Sequence, residues 1–504
     1  MMRREASSGV PKRARRELRD VPGGAEPDAG ATDWVQQEFA SADLSDKRLN
    51  RRLIKTASQL ANSPASPINE ACGDWASTQA AYRFFNNTKV SAAAIFKPHL
   101  IETVKRLRAQ AEAVLVVQDT VFFSYGKHPN TRGLGPIGMG TSVYERGLIM
   151  HNALAFTVSG VPLGLLSQRI WARKDIVAEG YQEKIERLQC TPIEEKESSK
   201  WLLGLRETIE HVPAGVKIIT VADRESDFFE FIAEAETLGA LFLIRACGNR
   251  LLIPEDSDGS ASMLDAIADA PVIGALTVDI PGSGKRKART ASLEVRIADV
   301  TLKPPQRRGR AKTSGSTDPV RVHVIGATER DAPEGSEPLS WVLLTNLPIE
   351  SFAGATEKIH WYSRRWGIEI WHKVLKSGCK VEDCQLEAAA RLKRYLTLFS
   401  IIGVRLMHVA HLARVQPEVQ ASDVFCADEI EALHLRLKKS VPRATQPPTL
   451  RETVRMLGRL GGHLGRKSDG EPGLTVLWRG WQRLYEDVEM LRAYKQSLGR
   501  MNSS

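Results

Sequence analysis

The sequence predicts an α/β protein whose sheet carries a β-rich insertion and whose two ends are helical. Three observations predict it. Short unbroken apolar runs lead into aspartates, in AVLVVQD and KIITVAD, the pattern of strands buried on both faces. Helical periodicity fills the stretches between and beyond them. A block at about 250–350 turns instead to strand-like segments separated by loops.

The totals narrow the class. A chain of 504 residues has room for roughly three domains, and 42% hydrophobic with 26% charged residues suits a globular protein with ample core. The best apolar run, Leu396 to Val404, ends at Arg405, far short of the ~20 residues a membrane-spanning helix needs. The first residues carry no apolar signal-peptide core, so no membrane and no secretion are expected. Six cysteines, irregularly placed, suit a reducing cytosol. Seventy basic residues against sixty acidic ones leave +10, a surplus that favours a polyanion partner.

Along the chain, residues 1–31 are rich in Arg, Ala, Gly and Pro without apolar periodicity and read as a disordered extension. Residues 32–91 read as a helical domain. DLSDKRLNRRLIKTASQLA sets Leu44, Leu49, Leu53 and Ile54 beside Lys47, Arg48, Arg51 and Arg52, a basic rim that suits duplex phosphate as well as simple solvation. HNALAFTVSGVPLGLLSQRIW predicts two strands joined at Ser159-Gly160, with Pro162 at the first position of the second, where no ladder donor is lost. EEKESSKWLLGLRETIEHV is an amphipathic helix, VKIITVADRESDFFEFI a strand then a helix, and GALFLIRACGNR a further strand carrying Arg245.

A three-strand meander, a helix, a parallel strand, a helix and another strand is the order of a ribonuclease-H-like core, assigned here to residues 92–415. Polar residues at the carboxyl ends of its parallel strands, Asp119 and Asp223, would line the crevice. The insertion supplies TVDIPGSGKRKARTASLEVRI, PVRVHVIGAT and SWVLLTNLPI as strands. Its basic loops at Lys285–Arg289 and Arg307–Lys312 suit a DNA-gripping surface, the second reading better as a solvated loop. A long apolar helix from Leu392 to about Leu412 follows. Residues 416–504 are helical, broken at GRLGGHLGRKSDGEPG, and close on a helix with Trp478, Trp481, Leu484, Val488, Leu491 and Tyr494.

The stretch IHWYSRRWGIEIWHKVLKSG carries the chemistry. On one helix at ~100° per residue, Tyr362, Arg365, Glu369, Lys373 and Lys376 fall within about 80° of one another. Helix-spacing salt bridges on a solvated face are the commoner meaning of such a pattern. With two strand-end aspartates it gains another. Phosphodiester cleavage without a covalent enzyme intermediate needs an activated oxygen nucleophile and a stabilised leaving oxygen, which two Mg²⁺ ions provide, and Mg²⁺ takes hard carboxylate ligands. Asp119, Asp223 and Glu369 meet that need if they converge. Arg365 could hold a phosphate bidentately, Lys373 and Lys376 supply point charges, and Tyr362 donates its hydroxyl. Trp341 and Trp366 could stack an extruded base, though a Trp at a strand start is more often core.

Other chemistries fit less well. His360, His372, Cys379 and Cys384 match no usual zinc spacing. The chain has no Gly-x-Ser-x-Gly elbow, and GSGKRK at 282–287 lacks the spacing of a phosphate loop.

The segments QAAYRFFNNTKVSAAAI, VVQDT, EEKESSKW, VADRESD, WVLLTN, YSRRWGIEIWHKVLKSG and LGGHLG with LWRGWQ together resemble the DDE transposases of the bacterial insertion-sequence-four family. The family's Tyr-x2-Arg-x3-Glu-x6-Lys signature falls on Tyr362, Arg365, Glu369 and Lys376. The resemblance implies a catalytic metal triad of Asp119, Asp223 and Glu369 holding two Mg²⁺, with Mn²⁺ as a substitute. It implies that Tyr362, Arg365 and Lys376 hold a DNA 5′ phosphate, that Lys373 and Arg245 lie close to DNA, and that a flipped base stacks on Trp341. It further implies end nicking, hairpin formation and resolution, and joining of 3′ ends to target DNA within a homodimer. Residues 32–91 would bind the terminal repeats and 416–504 would dimerise, in the bacterial cytoplasm at the nucleoid. A transposase-derived DNA-binding regulator without cleavage is the alternative, and a nuclease for other structured nucleic acid a third reading. The Lys303–Pro319 loop is unusually basic and Ser/Gly-rich for the family.

Overall fold

The computed structural model describes residues 34–138, 145–175, 180–253, 261–280, 289–306, 309, 316–333, 337–438, 448–466 and 469–501. The expectation of disorder over 1–31 lies outside them, as do the basic loops apart from Arg289 and Gly309.

Ten strands form one sheet: β1 (Val114–Ser124), β2 (Gly135–Pro136), β3 (Arg146–Thr157), β4 (Pro162–Trp171), β5 (Ile218–Ala222), β6 (Leu241–Arg245), β7 (Val272–Ile280), β8 (Arg289–Leu302), β9 (Val320–Glu329) and β10 (Ser340–Thr345). Their order is β2-β3-β1-β5-β6-β10-β9-β8-β7, with β4 also on β3. β1, β5 and β6 are mutually parallel, and the other pairings are antiparallel. Val114 to Val117 are fully buried because the sheet is covered on both faces, as its unbroken apolar run requires.

One expectation changes here. β1 does not stop at Asp119 but runs to Ser124, since beyond Val117 it loses β5 yet keeps β3 as a partner. The β-rich insertion adds its strands to the edge of the same sheet: β10 pairs with β6, Leu343 opposite Arg245, and β9, β8 and β7 extend it outward. The β3–β4 turn forms where it was expected, with Gly160 at φ 94°, a left-handed conformation that a side chain would strain, and Pro162 opening β4.

The helix Ala389–Val415 packs over the sheet, with Ser400 Oγ 3.6 Å from Met150 Sδ on β3. It is long and apolar enough to cross a membrane by composition, yet most of it is buried inside the protein, as a core helix is. The N-terminal region is helical: Trp34–Phe39, Lys47–Asn62, Ile68–Cys72 and Trp75–Asn86. Asp46 and Asp74 cap two of these, accepting from Arg48 N and Ser77 N at 2.8 Å and satisfying otherwise orphaned donors. The C-terminal region is helical too, with Ala427–Arg436, Leu450–Leu460 and Leu474–Met501.

A buried polar knot ties the first helix to the sheet. Glu38 accepts from Arg106 at 2.8 and 3.0 Å and pairs with His99 Nδ1. His99 Nε2 accepts from Leu165 N at 2.9 Å, and Arg106 Nε donates to Leu163 O at 2.5 Å, both on β4.

Candidate active site

Parallel register sets the first two carboxylates level. Val117 pairs with Val221, so Asp119 and Asp223 each lie two residues further along neighbouring strands. Asp223 leaves β5 as the cap of a single helical turn, accepting from Glu225 N at 2.9 Å. Asp119 accepts from Thr120 N at 2.7 Å.

The third carboxylate arrives on a segment that is not the single helix the periodicity predicts. Phe352–Ser363 ends, the chain tightens, and Trp366–Lys373 begins a second helix that closes in a wider turn at Val374–Gly378. The tightening is visible in hydrogen bonds from Arg364, Arg365, Gly367 and Ile368 to residues three positions back. Gly367 lies so close to β3 that a Cβ there would stand 2.9 Å from the Phe156 ring. In the wider turn, Cys379 N reaches back five residues to Val374 O at 2.7 Å. The break and the extra residue in the turn change the phase of the face, so the single arc of about 80° does not persist to Lys376.

Arg365 nevertheless joins the carboxylates. Its guanidinium stands 2.5 Å from Glu369 Oε1 and 3.6 Å from Asp119 Oδ2. Burial works against its charge, but Tyr362, Glu369 and Asp119 hold its pKa above the ordinary value. Burial pushes the Asp119 carboxyl up to about 7, with the Asp223 and Glu369 charges adding to the rise and Thr120 N–H and Arg365 opposing it. Asp223 is raised as well, first by burial and then by Glu225. The charges of Asp223 and Glu369 thus both reach the buried Asp119 carboxyl.

Tyr362 is buried and its hydroxyl is also raised by burial. The positive charges of Arg365 and Arg245 oppose that rise, and Trp341 packs edge-on against the Tyr362 ring at 6.3 Å. Arg245 donates to Ser340 O at 3.0 Å. Lys373 is exposed. Lys376 sits apart from the carboxylates, further along β1, 5.9 Å above the Phe123 ring and 3.7 Å from Glu382. Trp366 is exposed.

Lys200, within EEKESSKW, is a residue to which the sequence alone gives no role. Lys200 is buried, 3.2 Å from Glu225 and 4.0 Å from Glu197, and its charge acts on Asp223. A lysine beside a core Trp gives no such signal by itself.

The side-chain oxygens of Asp119, Asp223 and Glu369 are hard donors, which suit Mg²⁺ better than the nitrogen and sulfur ligands of a typical zinc site. Among the described residues no three His, Cys, Asp or Glu stand together as a ready-made metal cluster, because Arg365 lies between Asp119 and Glu369.

Residues 31–90 match the family model described as transposase DNA-binding, and residues 401–499 match the transposase Tn5 dimerisation domain. Two such domains on one chain support a DNA transposase that binds DNA and dimerises. Among solved structures, a piggyBac transposase synaptic complex with hairpin DNA is similar at 10% identity, over 86% of this chain and 79% of that one, with a TM-score of 0.34.

Proposed function

We propose that this chain is a metal-dependent DDE transposase of the cut-and-paste kind with a ribonuclease-H-like core at 92–415. The observation that carries the reading is the level placement of Asp119 and Asp223 past two parallel strands, with Glu369 reaching Asp119 through Arg365. Asp119, Asp223 and Glu369 would hold Mg²⁺ or Mn²⁺. When bound, such ions stabilise charge on the phosphate and on the attacking and leaving oxygens.

The chain's own residues do the positioning. Arg365, which lies against Glu369 and Asp119, would offer its planar fork to a DNA phosphate. Tyr362 and Arg245 offer donors beside it, and Trp341 offers a ring face for a flipped base. Lys373 and Lys376 extend the positive charge along the strand path.

The reaction is a series of in-line displacements at phosphorus. Water attacks at the transposon end, and the 3′ oxygen leaves with a proton. That 3′ hydroxyl attacks the opposite strand's phosphate and closes a hairpin as the flanking DNA's 3′ oxygen leaves with the proton. Water then attacks the hairpin phosphate and frees the 3′ hydroxyl again, which finally attacks a target phosphate whose own 3′ oxygen leaves with the proton. Residues 32–91 would read the terminal repeats and 416–504 join two copies in a synaptic dimer, in the bacterial cytoplasm at the nucleoid. Incubation with the element's own ends and Mg²⁺, read on a denaturing gel, tests the proposal. Nicks and hairpins are expected. Bound DNA that is never cut would leave a DNA-binding regulator.

A further inference from the structure

The register places a third polar residue beside Asp119 that no role yet uses. Asp119 on β1 is directly opposite Asn152 on β3, and Asn152 is directly opposite Gln168 on β4. Opposed residues of an antiparallel pair project to the same face, with Cβ atoms about 4.5–5.5 Å apart. That face is the one on which Val117 and Val121 share a core with Ile368 and Trp371 of the helix bearing Glu369.

Asn152 is fully buried. Gln168 Nε2 donates to its Oδ1 at 3.2 Å, which fixes the oxygen toward β4. The other end of the amide, Nδ2, is buried and makes no hydrogen bond. An unanswered buried donor is costly, by about 1–3 kcal/mol, and such exceptions call for a reason. The adjacent carboxylate has one backbone donor, Thr120 N, and a guanidinium only at 3.6 Å. One side has a donor without an acceptor, and its neighbour has acceptor capacity to spare.

We infer that Asn152 is a positioning residue for Asp119, an inference that rests on the proposed carboxylate triad. Its Nδ2 donates to the Asp119 carboxylate when that group turns to take up a cation, and so selects which oxygen faces the ion. Gln168 aims the amide for this task. Residues that orient a ligating carboxylate from behind characteristically contribute about 10–100-fold to metal affinity.

Mn²⁺ binding to the full chain, measured by electron paramagnetic resonance, together with thermal melting of the same samples, tests it. Asn152→Leu is expected to weaken Mn²⁺ by about 10-fold or more with little change in melting temperature, because it removes an unanswered buried donor while the Gln168 amide that loses its acceptor is only half-buried. Asn152→Ser, which keeps a donor, is expected to recover most of the affinity. A melting temperature that falls along with affinity, and is not recovered by the serine, would mean a structural role and overturn the inference. So would unchanged Mn²⁺ affinity in Asn152→Leu while Asp119→Ala loses binding, and in that case the triad survives. If Asp119→Ala also binds Mn²⁺ as tightly as the unaltered chain, the triad reading fails and takes this inference with it.

Discussion

Two buried carboxylates in this molecule meet opposite fates. Glu38 is answered on every side: Arg106 grips both its oxygens and His99 Nδ1 adds a third partner. Burial alone would raise its pKa, but these partners hold it at about 2. Burial keeps His99 itself neutral, consistent with its Nε2 accepting from Leu165 N, so Arg106 is the standing counter-charge. Asp119 is buried too, yet its neighbours include two further acids and its pKa is pushed up to about 7. A buried acid with all its partners in the chain is a clamp. One left short of them remains open to a partner that the chain does not supply.

Activity breaks or sustains that contrast most sharply. Asp119→Asn should abolish end cleavage, by on the order of 10³-fold, while the melting temperature holds or rises. Glu38→Ala should do the reverse. Removing one member of a buried pair costs about 3–5 kcal/mol, so denaturant unfolding should shift strongly while cleavage per folded molecule stays near the original rate.

The pH dependence of melting in metal-free buffer should separate the two acids by sign. Glu38 is depressed when folded, so its contribution is full above about 4.5 and is lost as pH falls toward about 2. Asp119 is raised when folded. The folded chain then holds a proton that the unfolded chain has released, and stability falls as pH rises from about 3.8 to about 7. Asp119→Asn should flatten the upper limb and leave the lower one. A lower limb that flattens instead would undo the comparison.

The smallest effect belongs to the exposed rim. Lys373→Ala should leave melting unchanged within about 0.5 kcal/mol, and it should reduce the slope of log affinity against log salt for DNA by about one.

Much of the candidate site was legible because its parts are local. An apolar run leading into an acid announces a buried strand, and two such runs supplied Asp119, inside β1, and Asp223, just past β5. The Tyr362–Glu369 spacing gave the third acid. What stayed hidden depends on partners distant in the chain. The break before Trp366 follows from how closely Gly367 approaches Phe156, and β10 joins β6 across nearly a hundred intervening residues. His99 is 61 positions from Glu38, and Asn152 acquires meaning only from the register that sets it opposite Asp119. Lys376, which a uniform helix would have set among the acids, is displaced by a turn whose form no local spacing dictates.

That turn has a further consequence. Gly378 closes it, and a Cβ there would press the Trp478 indole at 2.7 Å. Trp478 belongs to the last helix, within the segment that matches a dimerisation domain. The missing side chain is therefore a socket, and the ring seated in it comes from a hundred residues downstream. The last helix and the turn bearing Lys376 are thereby packed as one joint, and a bulkier residue at 378 would have to push them apart.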